Sequence, residues 1–167
     1  MKRPRRVVSG TSLLISLEKI EGGYTFLGQL YDNVLIPPEV LRELAAGAFG
    51  SGEAYLSHFG IGDLLQVEAS RRSKRDATEH LDPGEREVVE LAVEFDLPLL
   101  IEEEAGRTVA REIGLGISGS AGQLLQAVRG EIIGPNQASQ MITELKRKGR
   151  INQQVFEGVK RAIDEEA

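Results

Sequence analysis

The chain has 167 residues, a length that fits one domain with a sizeable core, and its 41% hydrophobic and 28% charged residues place it among globular rather than disordered or fibrous proteins. No apolar run approaches the ~20 residues of a membrane helix, and no secretory h-region follows the basic start, so a single-domain cytoplasmic protein is expected. Cysteine is absent, which excludes disulfides, thiolate metal sites and cysteine nucleophiles. The two histidines, His58 and His80, sit beside no nucleophile motif and are expected to be structural or solvated. The net charge is −6, yet twelve of the 20 Lys and Arg gather in three clusters: Lys2, Arg3, Arg5 and Arg6; Arg71, Arg72, Lys74 and Arg75; Lys146, Arg147, Lys148 and Arg150. Basic islands on an otherwise acidic chain are compatible with nucleic acid held near an acidic, metal-binding centre. They are equally compatible with solvated loops and helix faces.

In chain order, "RRVVSG" reads as a buried first strand, and "TSLLISLEKI" as a helix opened by Thr11 or Ser12 as N-cap. "GGYTFLGQLY" supplies a turn and a short helix. "NVLI" is a second strand, stopped by two prolines, and Pro38 suits the first turn of the next helix. In that helix Val40, Leu41 and Leu44 share an apolar face, and Gly47 ends it. "LLQV" is a third strand, and the charged stretch from Ser70 to Thr78 reads as a loop. "LDPGEREVVELAVEFD" carries the clearest helix start, with Asp82 as N-cap, Pro83 at the first helical position and Glu85 three residues after the cap.

"LPLLI" is a buried strand, and "EEEAGRTVAREIG" a helix stopped by Gly114. "LGISGS" gives a short strand and turn, after which Ser120 can cap the helix "SAGQLLQAVRG". Two further helices follow, "GPNQASQMITELKRKG" and "NQQVFEGVKRAIDEE". The alternation of strand and helix argues for an α/β fold with a central parallel sheet and a helical C-terminal end.

The glycine-rich turns lack the features of a phosphate-binding loop. "SGTS" has no following lysine, and "GLGISGSAG" does not open a βαβ unit with an acid ~20 residues on. The acids are more informative. Glu43 lies in the helix after the second strand, Glu85 at a helix start, and Glu102, Glu103 and Glu104 directly after "LPLLI". In a parallel sheet, strand ends and the helix starts that follow them gather on one edge. Carboxylates converging there raise one another's pKa unless a cation neutralises them, and oxygen-only clusters suit Mg²⁺ or Mn²⁺. Each glutamate alone also has an ordinary reading, as an acid favouring a helix N-terminus.

Five segments in order, "RVVSGTSLLISLEKI", "VLIPPEVLREL", "LDPGEREVVELAVE", "LPLLIEEEAGRTVAREIGL" and "ISGSAGQLLQAVRGEI", resemble a PIN-domain protein of the small prokaryotic branch of nuclease- and toxin-like members, from about residue 6 to residue 160. The resemblance implies a three-layer α/β/α fold and an Mg²⁺- or Mn²⁺-dependent endoribonuclease, often dimeric and often neutralised by an antitoxin-like partner. It implies that Glu43, Glu85, Glu102 and Glu103 hold the ion, with Thr11, Ser12 and Ser120 in support. RNA is then expected on the basic clusters, with Arg6, Arg71 and Arg72 as its contacts.

Two departures stand out. Gly10 occupies the place of the family's first metal-binding Asp, and Glu102 stands where Asp is usual. Loss of one carboxylate weakens a site for an ion as exacting as Mg²⁺. Three readings follow: an impaired nuclease, an inactive PIN-fold binding protein, and a small α/β binding protein whose acids only cap helices.

Overall fold

A computed structural model describes residues 5–72 and 74–167, so Lys2, Arg3 and Ser73 lie outside the described residues. The first strand β1 (Arg6–Ser9) leads into helices α1 (Thr11–Glu18) and α2 (Gly23–Leu30) and then into β2 (Asn33–Ile36). Helices α3 (Pro38–Ala45) and α4 (Gly52–Phe59) precede β3 (Leu65–Val67). A single 3-10 turn at Asp76–Thr78 precedes α5 (Pro83–Phe95), β4 (Leu99–Leu100), α6 (Glu104–Ile113) and β5 (Ile117–Ser118). Helices α7 (Ser120–Arg129), α8 (Pro135–Arg147) and α9 (Gln153–Glu165) close the chain.

All five strands are parallel, in the order β3-β2-β1-β4-β5. The chain winds outward from β1 to β3, then crosses back to β4. The order therefore reverses between β1 and β4, the position at which open α/β sheets place their ligands. Right-handed crossovers put α5 and α6 on one face of the sheet and α1 and α2 on the other, where α7 packs against α1. Burial on both faces explains why the central strands β1, β2 and β4 carry runs of consecutive apolar residues rather than alternating ones. Val7, Val8, Val34, Leu35, Ile36 and Leu99 are all fully inaccessible. The helical end is held by Ala138, Met141, Ile142, Leu145 and Ile163, all buried. Among the described residues no helix is long and apolar enough to cross a membrane.

Three sequence expectations need correction. The N-cap of α1 is Gly10, and Thr11 and Ser12 are its first helical residues, because their hydroxyls are drawn to carboxylates elsewhere. The N-cap of α7 is Gly119 for the same reason: Ser120 turns its hydroxyl to Glu102. Helix α6 begins at Glu104 rather than Glu102, so Glu102 and Glu103 precede it, Glu103 as its extended N-cap. Asp82 does cap α5, accepting the Glu85 amide at 2.8 Å.

Candidate active site

The carboxyl edge of the sheet gathers four chain segments. They are the β1–α1 turn, the second turn of α3, the first turn of α5 and the stretch after β4. Gly10 continues the sheet there, its amide donating to the Leu100 carbonyl at 2.9 Å. Gly10, Thr11, Glu43, Asp82, Glu85 and Glu103 line a small cavity of about 40 Å³. A single water needs roughly 10–15 Å³ of such space, so the cavity takes an ion with a water or two and excludes a base or a sugar.

Two of the acids are held by hydroxyls of α1. Thr11 Oγ1 donates to Glu43 at 3.1 Å, and Ser12 Oγ donates to Glu103. Gly84 lies against Glu43: a Cβ there would stand 2.5 Å from Glu43 Oε1, so the α3 carboxylate rests directly on the start of α5. Gly10 has no such constraint. Its φ of −83° and ψ of 171° suit any residue. A Cβ would meet only the Leu100 carbonyl at 3.7 Å and Ile101 Cγ1 at 3.9 Å.

The charges are uncompensated, since no lysine or arginine lines the cavity. Burial, followed by the charge of Asp82, a hydrogen bond with it and the charge of Glu103, pushes the Glu85 carboxyl up to about 7. Burial also raises Glu43, against the lowering hydrogen bond from Thr11, and Asp82, Glu39 and Glu103 add to the rise.

A stability prediction follows for the ion-free protein. Folded Glu85 keeps its proton up to about pH 7, whereas an unfolded glutamate loses it near its ordinary value of 4.5. Its contribution is therefore fully present below pH 4.5 and is lost as pH rises toward 7. Thermal melts in EDTA are expected to fall between pH 5 and pH 7.5, and Glu85→Gln is expected to flatten that slope. An unchanged slope in the variant would remove Glu85 as its source.

Glu102 stands apart. Glu103 lines the small cavity, whereas Glu102 faces α1 and α7. Its Oε2 accepts from Ser16 Oγ at 2.9 Å, and its Oε1 accepts the Ser120 amide at 3.1 Å and the Ser120 hydroxyl. Arg150, from the turn between α8 and α9, donates Nε to Ser16 Oγ and Nη2 to the Ser12 carbonyl, both at 2.9 Å.

The structure thus brings Glu43, Glu85 and Glu103 together with Thr11, and adds Asp82, which the sequence marks only as a helix cap. Arg6 lies at the opposite end of β1, its guanidinium 5.5 Å from the Phe95 ring centroid. Arg71 and Arg72 are exposed, and the Arg71 amide bonds Glu94 at 2.9 Å on α5. Ser16 escaped notice although it lies four residues after Ser12, on the same helix face. Nothing in the run of Lys146 to Arg150 singles out Arg150.

Over residues 6–165 the chain matches the family described as a PIN domain. It belongs to the PIN-domain family. No curated protein matches the chain. PIN domains are generally nucleases that use divalent metal ions and act on RNA.

Whether this PIN domain suits such an ion turns on its own donors. Their chemistry fits: oxygen ligands only, with negative charge unopposed by any basic lining residue. Their placement is looser, because among the described residues no three acids or histidines stand gathered in metal-holding geometry. Thr11 and Ser12 draw Glu43 and Glu103 aside.

Proposed function

We propose that this PIN-domain protein is an Mg²⁺- or Mn²⁺-dependent endoribonuclease whose activity is held down by Gly10. The observation that carries the reading is the cavity at the sheet's switch point, lined by Glu43, Asp82, Glu85 and Glu103 and by no basic residue. Glu43, Glu85 and Glu103 would hold the ion. Bound there, it would polarise a phosphodiester and lower the pKa of a water.

The chain's own residues have separate tasks. Thr11 and Ser12 store two of the carboxylates by hydrogen bonding, ready to be released. Glu85 carries a proton below about pH 7 and must shed it for the ion to bind, so affinity rises with pH across that range. The backbone at Gly84 brings α3 and α5 close enough for both to contribute. Gly10 contributes no donor, so water must fill the position where the family has a carboxylate.

The expected result is slow cleavage of single-stranded RNA by the native protein with Mn²⁺, stopped by EDTA and falling below detection in Glu85→Gln. Cleavage that persists in Glu85→Gln would point to a contaminating nuclease and end the assignment. The vacancy at Gly10 supports a second reading, an inactive PIN fold that only binds. Its mark would be saturable Mn²⁺ or RNA binding with no cleavage by native protein at any ion concentration.

A further inference from the structure

A second cavity opens on the other side of Glu102. Between α6, β5, the first turn of α7 and the α8–α9 turn lies a groove of about 570 Å³, lined by Arg107, Arg111, Ser118, Arg150, Val155 and Val159 among others. Its volume is within the roughly 300–1,000 Å³ of sites that enclose a small organic ligand. Arg107 and Arg111 are one helical turn apart on α6. Arg150 comes from the far end of the chain, next to Lys146, Arg147 and Lys148. In a protein of net charge −6, three guanidiniums around one groove beside an acid cavity are a local exception.

The charges are arranged to be used. Glu102 and Glu104 also line the groove, and Glu102 has its carboxylate taken up by Ser16 and Ser120. Arg107 spends Nη1 on the Ile101 carbonyl at 2.8 Å, and Arg150 spends Nε and Nη2 on α1. Each retains donors on a fixed guanidinium. Arg111 stands 3.7 Å from Glu104, and both are well exposed. Such a pair is worth little and yields readily to a phosphate. Val155, 39% exposed, is one of two large hydrophobic side chains left open among the described residues, and it lies in the same groove as the arginines.

Arg150 also joins the groove to the site. Its Nη2 holds the Ser12 carbonyl, and Ser12 holds Glu103. Arg150 is thereby linked through Ser12 to Glu103, which lines the acid cavity.

We propose that this groove holds single-stranded RNA, with its phosphates on Arg107, Arg111 and Arg150 and its ribose and base faces on Val155 and Val159. The inference rests on the nuclease reading above and names the path by which the strand reaches the acids. A row of cations fits the backbone of a single strand, and the apolar strip beside it offers van der Waals contact to riboses and unstacked bases. An acidic peptide would answer the same cations but gives the strip no planar face, and competition separates the two.

The test is fluorescence anisotropy of the full chain with a short labelled oligouridylate in EDTA, which decouples binding from cleavage. Arg111→Glu, at an exposed position that leaves folding intact, and Arg107→Gln are each expected to weaken binding about fivefold or more and to lower the salt slope by about 0.7 per lost contact. Arg71→Glu and Arg72→Glu are expected to leave it unchanged. If the native protein cleaves RNA while Arg111→Glu and Arg107→Gln bind like native, the groove assignment falls and the nuclease reading stands. If native protein neither binds oligouridylate nor cleaves RNA, both fall. An acidic peptide that binds more tightly than the RNA, or an oligodeoxythymidylate that binds equally, would overturn the assignment to RNA.

Discussion

Replacing Gly10 by aspartate is expected to raise Mn²⁺ affinity and RNA cleavage by about 10–100-fold, the loss that removing even a supporting group from a metal site commonly causes. The backbone is already suited to the change. Gly10 sits in extended conformation as the N-cap of α1, a position at which aspartate is among the preferred residues. A Cβ would make only ordinary contacts, with the Leu100 carbonyl and Ile101. The carboxylate would enter the cavity beside Glu43, Asp82, Glu85 and Glu103. There it adds a fifth negative charge, so without an ion the variant is expected to melt at a lower temperature than the native protein at pH 7.5. Its capping contribution of a few tenths of a kcal/mol offsets this only in part. With Mn²⁺ the order should reverse, because an ion that binds only the folded state stabilises it by RT ln(1 + [ion]/Kd), which grows as Kd falls. Calorimetric titration, thermal melts with and without Mn²⁺, and a cleavage assay examine the three consequences separately. Equal Mn²⁺ affinity in native and variant protein would mean that Gly10 is not the missing ligand. Equal cleavage with unequal affinity would mean that ion binding is not what limits the native chain.

The sheet was legible in the sequence for a physical reason. Strands buried on both faces must be apolar throughout, so "RVVS" and "NVLI" stand out between polar turns. Helix α5 was equally plain, because Asp82 and Pro83 fix its start. Helix α4 was not, since in "GEAYLSHF" only Tyr55 is buried and no apolar period can form. What holds it is long-range: the fully buried Tyr55 ring packs against Phe49 and Phe59, and its hydroxyl donates to Glu18 at 2.6 Å and lies 2.6 Å from that of Tyr24. The candidate site divides in the same way. That Glu43, Glu85 and Glu103 converge follows from the topology rule for strand ends. Asp82 was hidden behind its capping role, yet it also lines the cavity. Which of Glu102 and Glu103 enters the cavity depends on where α6 begins, and a two-residue shift in a helix start is enough to turn one of them away.

That division makes the two adjacent glutamates opposites on mutation. Glu102→Ala removes the acceptor of three hydrogen bonds. It leaves the Ser120 amide without a partner, and Ser16, which is fully inaccessible, with Arg150 alone. Hydrogen bonds to a charged group contribute about 1.5–3 kcal/mol each and add less than fully when they share an acceptor. A loss of roughly 2–4 kcal/mol is expected, a fall in Tm of roughly 4–16 °C for a chain of this size. Glu103→Ala loses one bond, from Ser12, and removes a like charge that raises both Glu85 and Glu43. Its ion-free stability at pH 7.5 is expected to match or exceed that of the native protein. Mn²⁺ affinity should move the other way, falling in Glu103→Ala and holding in Glu102→Ala at a temperature where that variant is folded. Calorimetric titration beside thermal melts in EDTA reads both axes for both variants. A stable Glu102→Ala that no longer binds Mn²⁺ would return Glu102 to the ion site, and would require the α1–α7 side of the sheet edge to be where the ion sits.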